Sequence, residues 1–378
     1  MGLHEFGRCV SIRVSTSVLC AAGLVGHALA QPSGADAPHH DPAYAAQTLW
    51  SHDNLVAWCV VPFDAKRRGP EERAQMLARL GFKHFAYDWR DSDVPTFDAE
   101  IEALHAHDID LLAWLFPDDA SNPLSRKMLE MFKRHHVRPQ LWVVLNPEKK
   151  IYPQSSVEWD KVLPNGVSMP KSEEESNRLS EVEQVKLRDA ILAVIAQRRH
   201  LDIPTSPEEH ARRLVKETDK AEALAKLAGS YGLTMALYNH GGWSGIIENQ
   251  VAIIESLRKR GITNIGIVYN FSHSRDELHD DSKHFPHLWR QMMPYVVAVN
   301  ITGLKWEGQL IYPSQGDSEL EMMRTIQNSG WRGPIGLIAE KGGDAEATLK
   351  NYLSGLDWLA AELKRPASGG APPFAPAQ

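Results

Sequence analysis

Gly232-Leu233-Thr234-Met235-Ala236-Leu237-Tyr238-Asn239-His240 is the stretch that decides the fold. A helical pattern runs through Glu208–Tyr231, and Gly232 stops it, as glycine commonly does just past a helix. Thr234–Tyr238 is then an apolar run of strand length, followed by the polar pair Asn239 and His240. The same unit recurs in both directions. Toward the N-terminus lie Gln140–Leu145, Leu111–Leu115, Lys83–Tyr87 and Leu55–Val61, separated by helical stretches at Pro123–His135, Asp98–His107 and Pro70–Leu80. Toward the C-terminus lie Ile265–Tyr269, Val296–Asn300 and Ile335–Ala339, then a last helix at Ala345–Leu363. Eight strand–helix units in one run predict closure into a single-domain (β/α)8 TIM barrel over residues 51–364. An open doubly wound sheet needs a glycine-rich phosphate turn after its first strand, where Pro62-Phe63-Asp64-Ala65 stands instead.

The pattern is interrupted by a long insertion at 146–206, after strand four, with a charged stretch at Lys171–Glu183 and a helix around Val185–Gln197. Following a strand, it emerges at the end of the barrel where active sites lie. The N-terminus has a basic start at Arg8 and Arg13, an apolar run Val14–Ala30 and the small-x-small site Ala28-Leu29-Ala30. These predict a signal peptide over 1–30, cleaved near Ala30/Gln31, and a periplasmic or secreted protein. Residues 31–50 and 365–378, rich in Ala and Pro, are expected to be a disordered lead-in and tail. Cys9 and Cys20 would leave with the signal, so the mature chain keeps only Cys59 and no internal disulfide. The net charge is −7 with no basic block, which argues against nucleic acid and anionic membranes as partners.

A barrel gathers its strand ends at one mouth, so the residues there are the site candidates. In order they are Asp64 and Lys66, Asp88 and Arg90, Trp114, Trp142 and Asn146, Asn239 and His240, Asn270 and His273, Asn300 with Lys305 close behind, and Glu340. Ring faces beside amides and carboxylates suit a small carbohydrate, whose apolar faces alternate with hydroxyls. A further group, Asp276, His279, Asp280, Asp281 and His284, reads as a solvated face rather than a ligand set.

Tyr238-Asn239-His240-Gly241-Gly242-Trp243 with Glu248-Asn249-Gln250 resembles strand five of the xylose isomerase-like barrels, the sugar phosphate isomerase/epimerase superfamily. Tyr269-Asn270-Phe271-Ser272-His273 is similar to their strand six, and Pro313-Ser314-Gln315-Gly316-Asp317 to their final loop. The resemblance spans about residues 54–360 and points to an exported subgroup with a degenerate metal site. It implies a divalent cation held by Glu, Asp, His and Glu on strands five to eight, where this chain carries Tyr238, Asn270, Asn300 and Glu340. Amides and a phenol are weak ligands for a hard cation. A replacement set of His240, His273 and Glu340 would suit Zn²⁺ or Mn²⁺.

Three functions remain open on these residues. The first is a sugar or keto-sugar isomerase, epimerase or lyase. There Glu340, His240 or His273 is the base, Lys305 or Lys66 polarises the carbonyl, and Asn239, Asn270 and Asn300 hold hydroxyls. Burial of Glu340 beneath Trp114 and Trp142 would raise its pKa toward neutrality. The second is a non-catalytic carbohydrate-binding barrel. The third is a glycoside hydrolase with Asp88 and Glu340 as its carboxylate pair.

Overall fold

The computed structural model describes residues 49–146, 153, 155–274, 282–305, 310–339 and 343–375. The expected signal peptide, most of the lead-in, Glu340, and Asp276, His279, Asp280 and Asp281 lie outside the described residues.

Eight parallel strands close into a barrel: β1 (Leu55–Trp58), β2 (His84–Tyr87), β3 (Asp110–Phe116), β4 (Gln140–Val143), β5 (Met235–Tyr238), β6 (Ile265–Asn270), β7 (Val296–Ile301) and β10 (Ile335–Ile338). All eight expected strands are present in chain order. The covering helices are α1 (Pro70–Arg79), α2 (Phe97–Ala106), α3 (Pro123–Arg134), α7 (Pro207–Ser230), α8 (Ile247–Lys259), α9 (Phe285–Met292), α10 (Glu319–Asn328) and α11 (Ala345–Lys364). Side-chain caps mark three of their starts. Asn122 accepts from Leu124 N, Ser206 from Glu209 N and Asp344 from Glu346 N.

Pairing register fixes which side chains fill the barrel, because partners in parallel strands face the same side. The chain of partners runs Trp58↔Ile338, Val56↔Gly336↔Asn300↔Asn270, Val268↔Tyr238, Gly266↔Ala236↔Trp142↔Leu115 and Gln140↔Ala113↔Ala86. Ala86, Ala113, Ala236, Gly266 and Gly336 are the small residues among these inward positions, and the volume they leave admits Trp58, Trp142 and Tyr238. Gly266 and Gly336 are required for space. A Cβ on Gly266 would lie 2.5 Å from Val297 Cγ1, and one on Gly336 would lie 1.8 Å from Asn300 Oδ1.

The seam between the first and last units is stitched with charge. Arg68 donates to both oxygens of Asp64 at 2.8 and 2.9 Å and to Asp344 at 2.7 Å, and Asp64 also accepts from Ala345 N at 3.2 Å. At the far end His52 meets Asp357 of α11 at 2.8 Å.

The insertion carries more structure than its sequence suggests. Besides α6 (Glu181–Arg198) it forms the short helices α4 (Ser156–Asp160) and α5 (Glu173–Arg178). Trp159, Leu163, Met169, Ala190 and Val194 make a core of its own, separate from the barrel's. Its C-terminal end is anchored by a buried ion pair, Asp202–Arg213, at 2.8 Å. Asp202 Oδ2 also accepts from Trp243 N at 3.1 Å, and the Arg213 guanidinium lies 4.9 Å from the Trp243 ring. Gly242 at φ 66° lets the chain pass this carboxylate, which would lie 2.9 Å from a Cβ there.

Two further elements differ from expectation. A hairpin, β8 (Gly303–Leu304) with β9 (Leu310–Ile311), follows β7. Residues 365–375, expected to be loose, fold back instead: Trp358 Nε1 donates to Gly370 O at 3.1 Å and Phe374 packs on Tyr312 at 5.0 Å. Glu362 fixes the reversal by accepting from Ala367 N and Gly369 N. Among the described residues no helix is long and apolar enough to cross a membrane.

Candidate active site

The floor of the mouth is a bridge across the barrel. Trp58 of β1 and Tyr238 of β5 stand on opposite walls in the strand order, and Trp58 Nε1 donates to Tyr238 Oη at 3.0 Å. Asn270 Nδ2 donates to the same oxygen at 2.5 Å. Trp142 fills the remaining floor, edge-on to Trp58 at 4.8 Å and stacked with Tyr238 at 6.1 Å. Trp58 is not among the residues named from strand ends, because it lies within the run. Its two-residue spacing from Val56 is the signal that places it inside.

The strand-end asparagines divide by what they touch. Asn239 Oδ1 accepts from Asn270 N at 2.7 Å and its Nδ2 donates to Asn270 O at 3.2 Å, so its amide extends the β5–β6 ladder. Asn270 Oδ1 accepts from Ser272 N and Oγ, both at 3.0 Å. Asn300 is fully buried, yet neither its Oδ1 nor its Nδ2 has a partner among the described residues. Leaving both halves of an amide dry costs about 1–3 kcal/mol for each group.

Three titratable groups follow strands on the two sides of this floor. On the β5–β6 side, the His240 and His273 rings lie 4.5 Å apart, with His273 edge-on to Tyr238 at 5.6 Å. On the opposite side, Asp88 follows β2, and its Oδ1 accepts from Val61 N at 3.4 Å, in the turn just past Trp58. Its Oδ2 is buried without a partner among the described residues. Burial pushes the Asp88 carboxyl up to about 7, against the opposing pull of Arg90.

Other expected site residues are placed elsewhere. Trp114 points out of the barrel into the helical layer, against Tyr87 at 4.4 Å, Phe97 at 4.9 Å and Phe132 at 5.2 Å, so it cannot roof a mouth carboxylate. Alternation decides this: Ala113 and Leu115 take the inward positions of β3. Asp64 is committed to Arg68, and Lys66 reaches Asp344 at 2.8 Å. Burial alone would raise Asp344, but Lys66 and Arg68 hold it down to about 2. Arg90 donates to the carbonyls of Asp88 and Trp89 at 3.2 and 2.8 Å. Asn146 gives its backbone N–H to Asp118 at 3.0 Å. Lys305 is half-buried at the start of the β8–β9 turn. That loop is held by Glu319, which accepts from Leu304 N, Ser314 N and Gly316 N at 3.2, 3.1 and 2.9 Å.

Two of the four positions compared with cation ligands, Tyr238 and Asn270, are already engaged in hydrogen bonds. The Tyr238 oxygen already receives two donors and Asn270 Oδ1 receives two more. Among the described residues no group of three or more His, Cys, Asp or Glu side chains is placed to hold an ion. In the replacement set, His240 and His273 are side by side and Glu340 lies outside the described residues.

No family model and no curated protein matches the sequence. Solved structures do. The probable 3-DHS dehydratase AsbF of Bacillus anthracis is 9% identical, with a TM-score of 0.50 over 80% of this chain and 98% of that one. An L-ribulose 3-epimerase is 12% identical, with a TM-score of 0.49 over 86% and 100%. A xylose isomerase-like TIM barrel protein from Mycobacterium smegmatis, in complex with magnesium, is 12% identical, with a TM-score of 0.47 over 86% and 100%. At these identities the likeness reaches the fold alone: a (β/α)8 barrel.

Proposed function

We propose that this barrel of the xylose isomerase-like fold binds a sugar or keto-sugar in its mouth and rearranges it by proton transfer beside a carbonyl, as an isomerase, epimerase or lyase. The carrying observation is the Asn300 amide, buried on the inward side of β7 with neither polar atom partnered among the described residues. A hydroxyl and a carbonyl on one ligand satisfy such an amide together, and the apolar faces of a sugar ring match Trp58, Trp142 and Tyr238. Amides and imidazoles at the rim offer both donors and acceptors, which suits a polyhydroxyl ligand.

The chemistry asks for a base near a carbon and a donor near the carbonyl oxygen. His240 and His273 lie side by side for the first, and Asn300 Nδ2 is available for the second. Glu340 and Lys305 remain candidates for the same two roles from strands eight and seven. No step here passes through a metal. The reading goes with an exported protein that meets carbohydrate outside the cytoplasm, as the N-terminal sequence suggests.

Calorimetry against a panel of 2-ketohexoses and 3-keto-glucosides, followed by NMR of the bound sugar in D₂O, tests the proposal. The expected result is binding together with deuterium uptake at the carbon beside the carbonyl. In Asn300→Leu, binding should weaken by roughly tenfold or more, the worth of one well-made polar contact. Binding without exchange would show a lectin-like barrel, and cleavage of a glycoside would show a hydrolase. Either result overturns the proposal.

A further inference from the structure

We infer that the C-terminal segment 365–375 is a strap that positions the loop after β7, and through it the Asn300 end of that strand, for the ligand of the mouth. This rests on the functional reading above for the ligand and goes further by giving the tail a part in binding it. The chain reverses just past α11 and runs back along that helix. Glu362 accepts from Ala367 N at 2.8 Å and Gly369 N at 2.7 Å, and Ser368 Oγ donates to Ala361 O at 2.7 Å. Ala367 sits in the left-handed region at φ 63°, which a residue with a Cβ keeps only where its surroundings hold it. Gly369 then lies flush on Trp358, where a Cβ would stand 2.7 Å from Cδ1. The reversal is built from specific contacts, although the composition of the segment alone reads as loose.

The far end of the strap reaches the loop after β7. Phe374 packs on Tyr312 with ring centroids 5.0 Å apart, and Gln315 Nε2 donates to Ala375 O at 3.0 Å. Gln315 Oε1 accepts from Tyr312 N at 2.9 Å, so one amide ties the tail to the loop and the loop to itself. Tyr312 stands edge-on to Tyr352 of α11 at 5.6 Å. From Tyr352 the path returns to the barrel. Thr302 Oγ1 donates to Ile311 O at 2.9 Å, which uses its one proton, so Tyr352 Oη is the donor in the 3.0 Å bond between the two hydroxyls. Thr302 stands two residues past Asn300, and Ile311 belongs to β9 of the hairpin. Holding Thr302 steadies both.

The strap lies outside the barrel's own core. Gly369 and Phe374 are half-buried and the rest of the segment is exposed. Its removal takes away a ring contact and a few hydrogen bonds but no buried layer. The loop would keep its Glu319 anchor and lose the tail. The effect is therefore local: a looser hairpin beside an intact barrel, and a less well-placed Asn300 amide.

A chain ending at Lys364 is compared with the full chain by hydrogen exchange, thermal unfolding and calorimetry. The calorimetric probe is the 2-ketohexose or 3-keto-glucoside that the full chain binds best. Exchange at residues 303–304 and 310–311 should rise by roughly tenfold or more, the worth of one ring contact and one hydrogen bond together. Strands β1–β6 should exchange as before, and the melting temperature should move by only a few degrees. Sugar affinity should fall by roughly fivefold or more, as for modest coupling between two sites. In the full chain, Phe374→Ala should shift exchange and affinity in the same direction, and Phe374→Tyr, which keeps the ring, should leave both as they are. Unchanged hairpin exchange, or raised exchange with unchanged affinity, overturns the inference. If the shortened chain does not fold, the Phe374 variants decide it: exchange and affinity in Phe374→Ala equal to those of the full chain overturn it. Absence of keto-sugar binding to the full chain instead sinks the functional reading beneath, and the inference with it.

Discussion

At the residue scale, Asp88 and Asn300 both hold buried polar atoms without partners among the described residues, and both have measurable consequences. Because the folded state favours a neutral Asp88, with its carboxyl raised to about 7, the stability it allows is fully present below the ordinary carboxylate range. It is lost as pH rises through about 7. Asp88→Asn keeps the shape and removes the charge. Denaturant unfolding should find this variant close to the wild type near pH 4 and more stable by up to about 4 kcal/mol near pH 9, each pKa unit being worth about 1.4 kcal/mol. Asn300 occupies the side-chain space that Gly336 gives up. Gly336→Ala should cost about 1–3 kcal/mol by overpacking. Adding Asn300→Ala should recover most of that loss, and a cycle of the two substitutions measured by thermal unfolding checks it.

At the scale of elements, the insertion and the loop after β5 are joined through one buried carboxylate. Asp202 binds Arg213 and Trp243 N, and Gly242 makes room for it. Asp202→Ala leaves a buried guanidinium unpaired, for which a loss of about 3–5 kcal/mol is typical. Hydrogen exchange should show the loss first in α6 and in residues 240–246, with the barrel strands slower to follow. A uniform change across the barrel would mean that the pair supports the whole fold instead. Sequence reading reached the helix of the insertion but neither its small core nor this anchor. Trp159, Leu163 and Met169 come from loop and short-helix stretches without a period, and an ion pair with an 11-residue separation carries no local mark. The eight strands were legible because each is a short apolar run beside a helix with its own stop. The β8–β9 hairpin was not, since two residues per strand are too few for alternation to show. Among candidate site residues, the nearness of His240 and His273 was legible because each lies two or three residues past one of two neighbouring strands. Sequence reading misplaced Trp114 because a strand shows its two faces only through alternation, and Leu111–Leu115 is apolar throughout.

At the scale of the whole molecule, the barrel has two kinds of interior. One is the thick shell between strands and helices, where Trp114, Phe97 and Phe132 pack. The other is the narrow cylinder inside the strands, where small residues such as Ala113, Ala236, Gly266 and Gly336 leave room for Trp58, Trp142 and Tyr238. The seam beside it is closed by charge: Arg68 binds Asp64 and Asp344 at one end, and His52 meets Asp357 at the other. A ring closed this firmly has no preferred first strand. Residues near 52 and 364 lie on the same side of the barrel, so a short Gly/Ser linker joining them should be tolerated, with new ends opened in the exposed turn at 164–166 of the insertion. Such a permuted chain should keep the wild-type far-ultraviolet circular dichroism and melt within a few degrees of it. A chain that stays unfolded would show that synthesis order, and not closure alone, is built into this barrel.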